Sequence, residues 1–508
     1  MDYLDNYKYK ILDRSALKKI IEKNSKKTFV MCHGVFDIVH PGHLRHLANA
    51  KSKADFLIVS ITTDRHIKKG TYRPHIPEKL RALNLSALDM VDYVIIDSDA
   101  TPINNIKYLK PNFFAKGFEY QRPSFQTATY KEAQVVKSYG GKVLFTPGDV
   151  VYSSSKILEK NLPNLKYEKL INLFKINNIT FNQIYELLKK IKNVRVHVVG
   201  DMIVDTYTYG DFIGGQTKTP TFSIKYLRHK HYTGGAGIVA KHLAKSGAKV
   251  TLTTMVGKDH LSEFVKKDLK KHNIKLNFII DKNRPTTNKN AIISSSYRLL
   301  KLDTVDNSPI SLEMVAKFRN FIKNTKADVI IFSDYRHGIF NFLSIKELVG
   351  AIPKKILKIA DSQVASRWGN ITDFKKFDLI TPNEREARFA TSDQDSSVGS
   401  LASLVIDKSN AKNIILKLGN KGVLCLKKKT KKYFSIDSFA EKIIDPVGSG
   451  DALLSYAATI FFLSRSLEIS SFIGSVAAAC VCEKEGNEPV QVSDLIDKLE
   501  YIKKQIEN

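Results

Sequence analysis

Short apolar runs alternate along this chain with stretches of helical spacing. Residues 28–32, 56–62 and 91–96 read as strands, and residues 195–200, 329–334, 356–360, 377–380 and 413–418 as further buried ones. Between them apolar residues recur on one helical face, as in Leu44, Leu47 and Ala48. Strands alternating with helices predict parallel sheets covered on both faces, an α/β fold. Two stretches depart from this. Residues 207–232 are polar with a period of two, Thr219, Thr221 and Ser223 against Phe222 and Ile224, and predict short strands standing off the main body. Residues 291–303 predict an edge pair. Residues 161–193 are rich in Lys and Asn with helical periodicity (Ile171, Leu173, Phe174, then Ile184, Leu187, Leu188). They divide the chain into a domain over 1–165, a linker with a first helix over 166–193, and a second domain over 194–508.

Composition narrows the classes. A chain of 508 residues has room for about two to four domains with sizeable cores. No apolar run approaches the roughly 18 residues of a membrane span, and residues 1–9 lack a signal peptide's apolar segment, so a cytoplasmic protein is expected. The cysteines Cys32, Cys425, Cys480 and Cys482 have no metal-ligand spacing beyond one C-x-C in an apolar helical context; they read as small core residues in a reducing compartment. The net charge of +29 is mostly Lys spread along the chain. Its one dense run, 427–432, reads as a hairpin loop. Anionic small substrates account for such a field as well as nucleic acid does, and nucleic acid is not expected as a partner.

Two stretches carry candidate chemistry. Gly448-Ser449-Gly450-Asp451 turns into the apolar run 452–463, which reads as a buried helix. Glycines at a helix start leave backbone N–H groups uncovered where the dipole favours phosphate, and Asp451 beside them could take a proton from an attacking hydroxyl. Taken alone, the same residues also suit a tight turn before a core helix. In the first half, a strand runs into Gly34-Val35-Phe36-Asp37 and then His40-Pro41-Gly42-His43 at a helix entrance. Two imidazoles there can point at one anion and stabilise charge developing on it.

Gly34-x-Phe36-Asp37 with His40-x-Gly42-His43 resembles the signature of the cytidylyltransferase-like nucleotidyltransferases. Lys68 and Lys69, Glu78-x-x-Arg81, Lys110-Pro111 through Lys116-Gly117, and Ser153-Ser154-Ser155 follow in the family's order, over about 130 residues. The resemblance implies that His40 and His43 stabilise the α-phosphate during in-line attack by a substrate phosphate. It further implies that Gly34, Phe36, Asp37, Arg81, Lys116 and Ser153–Ser155 surround the nucleotide, and that Lys68 or Lys69 neutralises charge.

Residues 194–500 resemble the ribokinase-type (PfkB) sugar kinases through Gly234-Gly235, Asn383-x-x-Glu386, Leu418-Gly419-x-x-Gly422 and Gly448-x-Gly450-Asp451. This implies Asp451 as catalytic base, Gly448, Ser449 and Gly450 as anion hole, and Lys417, Gly419 and Gly422 at the nucleotide. Asp201, Asp205, Gly234 and Gly235 would meet the sugar, Asn383 and Glu386 would organise Mg²⁺, and residues 207–232 would form a lid able to pair two copies.

Together the halves resemble the bifunctional ADP-heptose synthases of lipopolysaccharide precursor pathways. Gly200-Asp201 through Asp205 and Phe332-Ser333-Asp334-Tyr335 look particularly like the kinase half of that family. There the kinase usually comes first; here the order is reversed. The implied activities are heptose 7-phosphate kinase and heptose 1-phosphate adenylyltransferase. The alternative is the same pair of reactions on another sugar or polyol phosphate, with CTP or GTP, for capsule synthesis.

Overall fold

The computed structural model describes residues 3–67, 74–117, 126–146, 166–214, 223–295, 297–363, 370–484 and 486–507. The chain divides into two compact units, Met1–Asn164 with Asp395–Ser400, and Leu165–Gln394 with Leu401–Asn508.

In the first unit, β1 (Phe29–Gly34), β2 (Phe56–Thr62), β3 (Tyr93–Asp97), β4 (Phe113–Gly117) and β5 (Lys142–Thr146) form a parallel sheet in the order β3-β2-β1-β4-β5. Alternate strand residues face opposite sides, so a sheet covered on both faces needs apolar side chains throughout. Val30, Cys32, Leu57 and Val59 pack with Leu47, Ala50, Ala82 and Leu85, whereas Phe29, Met31 and Ile58 pack with Leu17, Ile106 and Leu109. From β1 the chain winds first toward β2 and later toward β4. That reversal makes the C-terminal end of β1, where Gly34–His43 lies, the crevice of the sheet.

The second unit contains β6 (Arg195–Gly200), β7 (Met202–Gly214), β8 (Ser223–Gly235), β9 (Lys249–Gly257), β10 (Lys275–Asp281), β11 (Asn288–Ser294), β12 (Tyr297–Thr304), β13 (Val329–Asp334), β14 (Leu357–Ser362), β15 (Leu379–Ile380), β16 (Asn413–Lys417), β17 (Val423–Lys427) and β18 (Tyr433–Ile436). Its main sheet runs β10-β9-β6-β13-β14-β15-β16-β17-β18, parallel as far as β16, with β17 and β18 added antiparallel. Residues 428–432 form the hairpin turn expected there. Helices Ser449–Ser464 and Leu467–Cys482 are buried along most of their length, as their all-round apolar composition requires. Helices Lys166–Asn177 and Phe181–Lys190 belong to the same core through Leu170, Phe174, Ile184, Leu187 and Leu188.

A second sheet, β12-β11-β7-β8, stands apart from the main one. The segment expected as a lid, residues 207–232, thus belongs to a larger sheet that the pair at 288–304 joins, β11 lying parallel to β7 and β12 antiparallel to β11. This sheet leads straight out of β6. A side chain on Gly200, the last residue of β6, would come within 2.2 Å of the Ser333 carbonyl, so only glycine lets β6 and β13 meet there.

Two candidate active sites

In the first unit, His40 caps helix Pro41–Lys51. Its ring Nδ1 accepts the Gly42 N–H (3.1 Å), and Pro41 occupies the first helical position, where a missing N–H costs nothing. Burial lowers the His40 pKa. With Nδ1 accepting, the proton of the neutral ring sits on Nε2, which becomes a donor. His43, one turn on, stacks on His40 with ring centroids 3.9 Å apart. Burial, then the neighbouring His40 and His46, push its pKa down to about 4 against the pull of the Ile38 carbonyl. Gly42 is what allows this pair, because a side chain there would meet the His40 ring at 2.9 Å. The result is two neutral imidazoles at a helix N-terminus, where dipole and uncovered N–H groups favour an anion.

The surrounding residues hold this corner. Phe36 adopts a left-handed backbone (φ 48°) and packs against His43, and Gly34 leaves room for the Phe36 ring. Asp37 is buried and accepts the N–H groups of His75 and Ile76 (2.8 and 2.9 Å), so it ties down the loop. Lys116, at the end of β4, pairs with Glu132 (2.6 Å). Arg81 differs from its expected phosphate contact. It is fully buried, donates to the carbonyls of Val35, Ile76 and Thr62, and pairs with Asp64 at 2.6 Å. Four of its five donors are thereby spent on the protein. Lys68 and Ser153–Ser155 lie outside the described residues.

In the second unit, Gly448 (φ 83°) caps helix Ser449–Ser464 and Asp451 sits in its first turn. The first-turn N–H groups of Gly450 and Asp451 have no intrahelical acceptor. Ser449 is engaged otherwise, its N–H and hydroxyl both donating to the Pro446 carbonyl (3.2 and 2.8 Å). Asp451 is buried, and its Oδ1 accepts the Tyr335 hydroxyl at 2.8 Å. Burial, then the charge of Asp361, push its carboxyl up to about 7, with Tyr335 and Lys417 opposing. That suits a base working near neutral pH. Lys417, the last residue of β16, pairs with Asp361 at 2.9 Å. Burial would lower its pKa, but Asp361 and Glu386 outweigh burial and hold it above the ordinary lysine value.

On β7, Asp205 pairs in register with Tyr232 of β8, and its carboxylate reaches diagonally toward Gly234; a side chain on Gly234 would begin 2.2 Å from it. A side chain on Gly235 (φ 56°) would begin 2.5 Å from the Asp201 carbonyl. Asp201 itself departs from expectation. It is buried, and its Oδ2 accepts the N–H groups of Tyr335 and His337 (2.8 and 3.3 Å), so it holds backbone. Gly422 (φ 83°) turns tightly against the Ile436 carbonyl, whereas Gly419 faces open space. Asn383 and Glu386 form a reciprocal cap on helix Glu384–Thr391. The Asn383 side chain accepts the Glu386 N–H (2.8 Å) and the Glu386 carboxylate accepts the Asn383 N–H (2.6 Å). Burial raises the Glu386 pKa, with Lys417 opposing and Asp361 adding. Among the described residues no group of three His, Cys, Asp or Glu side chains is placed to hold a metal ion.

Three residues at this site had no role in the sequence reading, where Tyr335 was quoted only within the Phe332–Tyr335 stretch and Asp361 and Asn487 not at all. Tyr335 donates to Asp451. Asp361 pairs with Lys417. Asn487 donates to Asp205 (3.4 Å), and its amide oxygen lies 2.3 Å from where a side chain on Gly448 would begin. The signal for Asn487 was the turn at Gly486 (φ 85°) between two helices.

The family described as pfkB family carbohydrate kinase matches residues 193–492, and that described as cytidylyltransferase-like matches residues 31–160. The bifunctional protein HldE of Campylobacter fetus subsp. fetus is 28% identical over 301 residues, covering 58% of this chain and 64% of its own. HldE of Desulfatibacillum aliphaticivorans is 26% identical over 314 residues, covering 60% and 63%. The chain thus spans a little under two thirds of the length of these relatives. The crystal structure of phosphofructokinase-2 from Escherichia coli in complex with potassium matches 61% of this chain and 99% of its own, at 17% identity and a TM-score of 0.52, which shows a shared fold. The chain belongs to the pfkB family of carbohydrate kinases, with a cytidylyltransferase-like domain ahead of the kinase domain.

Proposed function

We propose that the chain is a bifunctional enzyme that phosphorylates a sugar and activates a sugar 1-phosphate with a nucleotide. The observation that carries the reading is Asp451, a buried carboxylate with a pKa near neutrality in the first turn of a buried helix, with Lys417 alongside. In the kinase half, Asp451 accepts the proton of the sugar hydroxyl as its oxygen bonds to the γ-phosphorus of ATP. The bond to the β,γ-bridging oxygen breaks and ADP leaves. Lys417 and the N–H groups of Gly450 and Asp451 meet the charge of the transferring phosphoryl. Asp205, beside Gly234 and Asn487, orients the sugar. In the transferase half, a sugar-phosphate oxygen attacks the α-phosphorus of the nucleotide and pyrophosphate leaves. His40 and His43, neutral at pH 7, donate to the α-phosphate oxygens without carrying charge of their own.

The oxygen donors of Asn383, Glu386 and Asp361 suit a hard cation, so Mg²⁺ is the cofactor proposed, which these residues would hold. When bound it neutralises the phosphates of ATP. The sugars proposed are heptose 7-phosphate for the kinase and heptose 1-phosphate for an ATP-using transferase, on the strength of the HldE relatives. No described helix is long and apolar enough to cross a membrane, and the four cysteines are free thiols. Both accord with work in the cytoplasm, where ATP is supplied.

A homodimer through the lid belongs to the same proposal. Every residue of β12 is exposed, including Tyr297 (74%), Leu300 (58%) and Leu302 (56%), and Ile213 and Tyr226 add to the uncovered apolar area of this sheet. Such an area on a small sheet suits a second copy.

The deciding experiment pairs ATP, CTP, GTP and UTP with a panel of sugar phosphates and follows ADP and pyrophosphate separately. Turnover of heptose 7-phosphate and heptose 1-phosphate with ATP is expected. Pyrophosphate release confined to CTP or GTP, or to another phosphosugar, would move the chain to a capsule-type pathway. No turnover with any pair would sink the enzymatic reading.

A further inference from the structure

The Phe332-Ser333-Asp334-Tyr335 stretch ends β13 beside the kinase site, and the turn after it is fixed from several sides. Asp201 Oδ2 accepts the N–H groups of Tyr335 and His337. Arg336 adopts a left-handed backbone (φ 57°) that few non-glycine residues take, and its guanidinium is pinned to Asp334 (2.8 Å) and Asp373 (3.0 Å). Gly338 (φ 105°) packs so close to the Ser308 carbonyl that a side chain there would lie 2.3 Å away. Backbone this constrained holds its side chains in one place. The side chain it delivers inward is Tyr335, buried, with its hydroxyl 2.8 Å from Asp451 Oδ1.

Resting on the kinase reading, we propose that Tyr335 is the positioning residue of the base: its hydroxyl holds Oδ1 of Asp451 so that Oδ2 faces the sugar hydroxyl. Asp201 acts one step behind, by holding the turn that carries Tyr335. A carboxylate has two oxygens and a free rotor. A donor locked onto one oxygen fixes the plane and leaves the other to accept a proton. A neutral hydroxyl does this without neutralising the base, as a second cation would. The charged and titratable groups facing Asp451 are Asp361 from β14, Lys417 from β16, Asp205 from β7 and Glu386 from helix Glu384–Thr391. Lys289 of β11 lies 6.0 Å from the Tyr335 ring. Three of these are carboxylates that favour the protonated base along with burial, so the hydroxyl and Lys417 are what keep Asp451 ionised near neutral pH.

The test is Tyr335→Phe in the full chain, which removes one oxygen and keeps the ring. A hydrogen bond to a charged group corresponds to a shift of about one to two pH units. The acid limb of the kinase kcat/KM profile should therefore move up by that amount. At pH 7, kcat should fall about five- to fiftyfold, the fraction of base left ionised by such a shift, with KM for sugar and ATP nearly unchanged. Pyrophosphate release at the other site and the melting curve report folding. A variant with an unmoved pH profile and unchanged kcat, or one that loses only KM, overturns the proposal. A second measurement is independent of turnover: carboxyl carbon resonances of Asp-labelled protein, with Asp451→Asn identifying the signal. Asp451 should titrate at higher pH in Tyr335→Phe, and an identical titration overturns the proposal. A wild-type chain that turns over no sugar while this shift is seen would overturn the kinase reading instead.

Discussion

The Lys417 ammonium lies 2.9 Å from Asp361 and 3.4 Å from the point where a side chain on Gly450 would begin. The missing side chain keeps the space between the cation and the helix N-terminus clear. A phosphoryl group arriving there would draw Lys417 from Asp361 and meet the first-turn N–H groups together. On the proposed kinase reading, Asp361 is the resting partner of a cation that would pass to the substrate.

From this pair we expect Lys417→Met to lower kinase kcat by about 10²–10³ and leave pyrophosphate release untouched. Removing the cation also strands Asp361 in the interior, so stability should fall by about 3–5 kcal/mol. Adding Asp361→Asn should restore much of that stability and none of the activity. Denaturant titration beside the ADP assay separates the two effects; recovery of both together would mean that Lys417 is only structural.

The pH dependence of stability follows from the buried carboxyl of Asp451. Asp451 titrates at about 7 in the folded chain against 3.8 in an unfolded one. Between those values the native state binds the proton more tightly, so this contribution is fully present below pH 3.8 and is lost as pH rises through 7. Asp451→Asn carries no such charge. It should gain on the wild type between pH 4 and pH 8, by an amount of order a few kcal/mol. Chemical unfolding at both pH values measures the gap, and a constant gap would mean that the carboxyl is not held up. The variant should also be inactive as a kinase.

Gly42→Ala tests the histidine pair. The added methyl would press on the His40 ring at 2.9–3.0 Å. A displacement of that kind at a phosphate-binding group should cut the transferase rate by about a hundredfold while the kinase assay stays unchanged. Full transferase activity in this variant would remove His40 and His43 from the α-phosphate.

For the lid, Leu300→Glu with Leu302→Glu places two charges on one face of β12, since residues two apart share a face. The wild type should scatter light as a species of twice 57.3 kDa and the double variant as a monomer. A monomeric wild type would end the homodimer proposal.

Much of both units could be read from apolar periodicity. The strand expected at 56–62 coincides with β2, and the helix expected after Asp451 is Ser449–Ser464. These follow from local rules of spacing, Gly and Pro. What local rules cannot supply is direction. Arg81, near the start of a helix, reads as a phosphate ligand until three carbonyls and Asp64 turn its guanidinium inward. Asp201 reads as a sugar ligand until the β6–β13 pairing brings the 335–337 turn over it. Asn487 stands 282 positions from Asp205, and only the packed fold brings the two together. The small sheet extends beyond residues 207–232 for the same reason, because pairing β11 with β7 joins segments about 80 residues apart whose sequences carry no mark of each other.

The two helices at 166–190 bear on how the chain can be dissected. The kinase family match begins at residue 193, but the kinase core begins earlier. Phe174 meets Phe472 edge to face, and Ile184 and Ile191 are wholly enclosed. A fragment started at 193 would uncover their partners on helices Ser449–Ser464 and Leu467–Cys482. Each such side chain is worth about 1.5–3 kcal/mol of burial, against a total of about 5–15 for a whole domain. A soluble, autonomous kinase piece should therefore begin near residue 165, and one trimmed to the family boundary should aggregate.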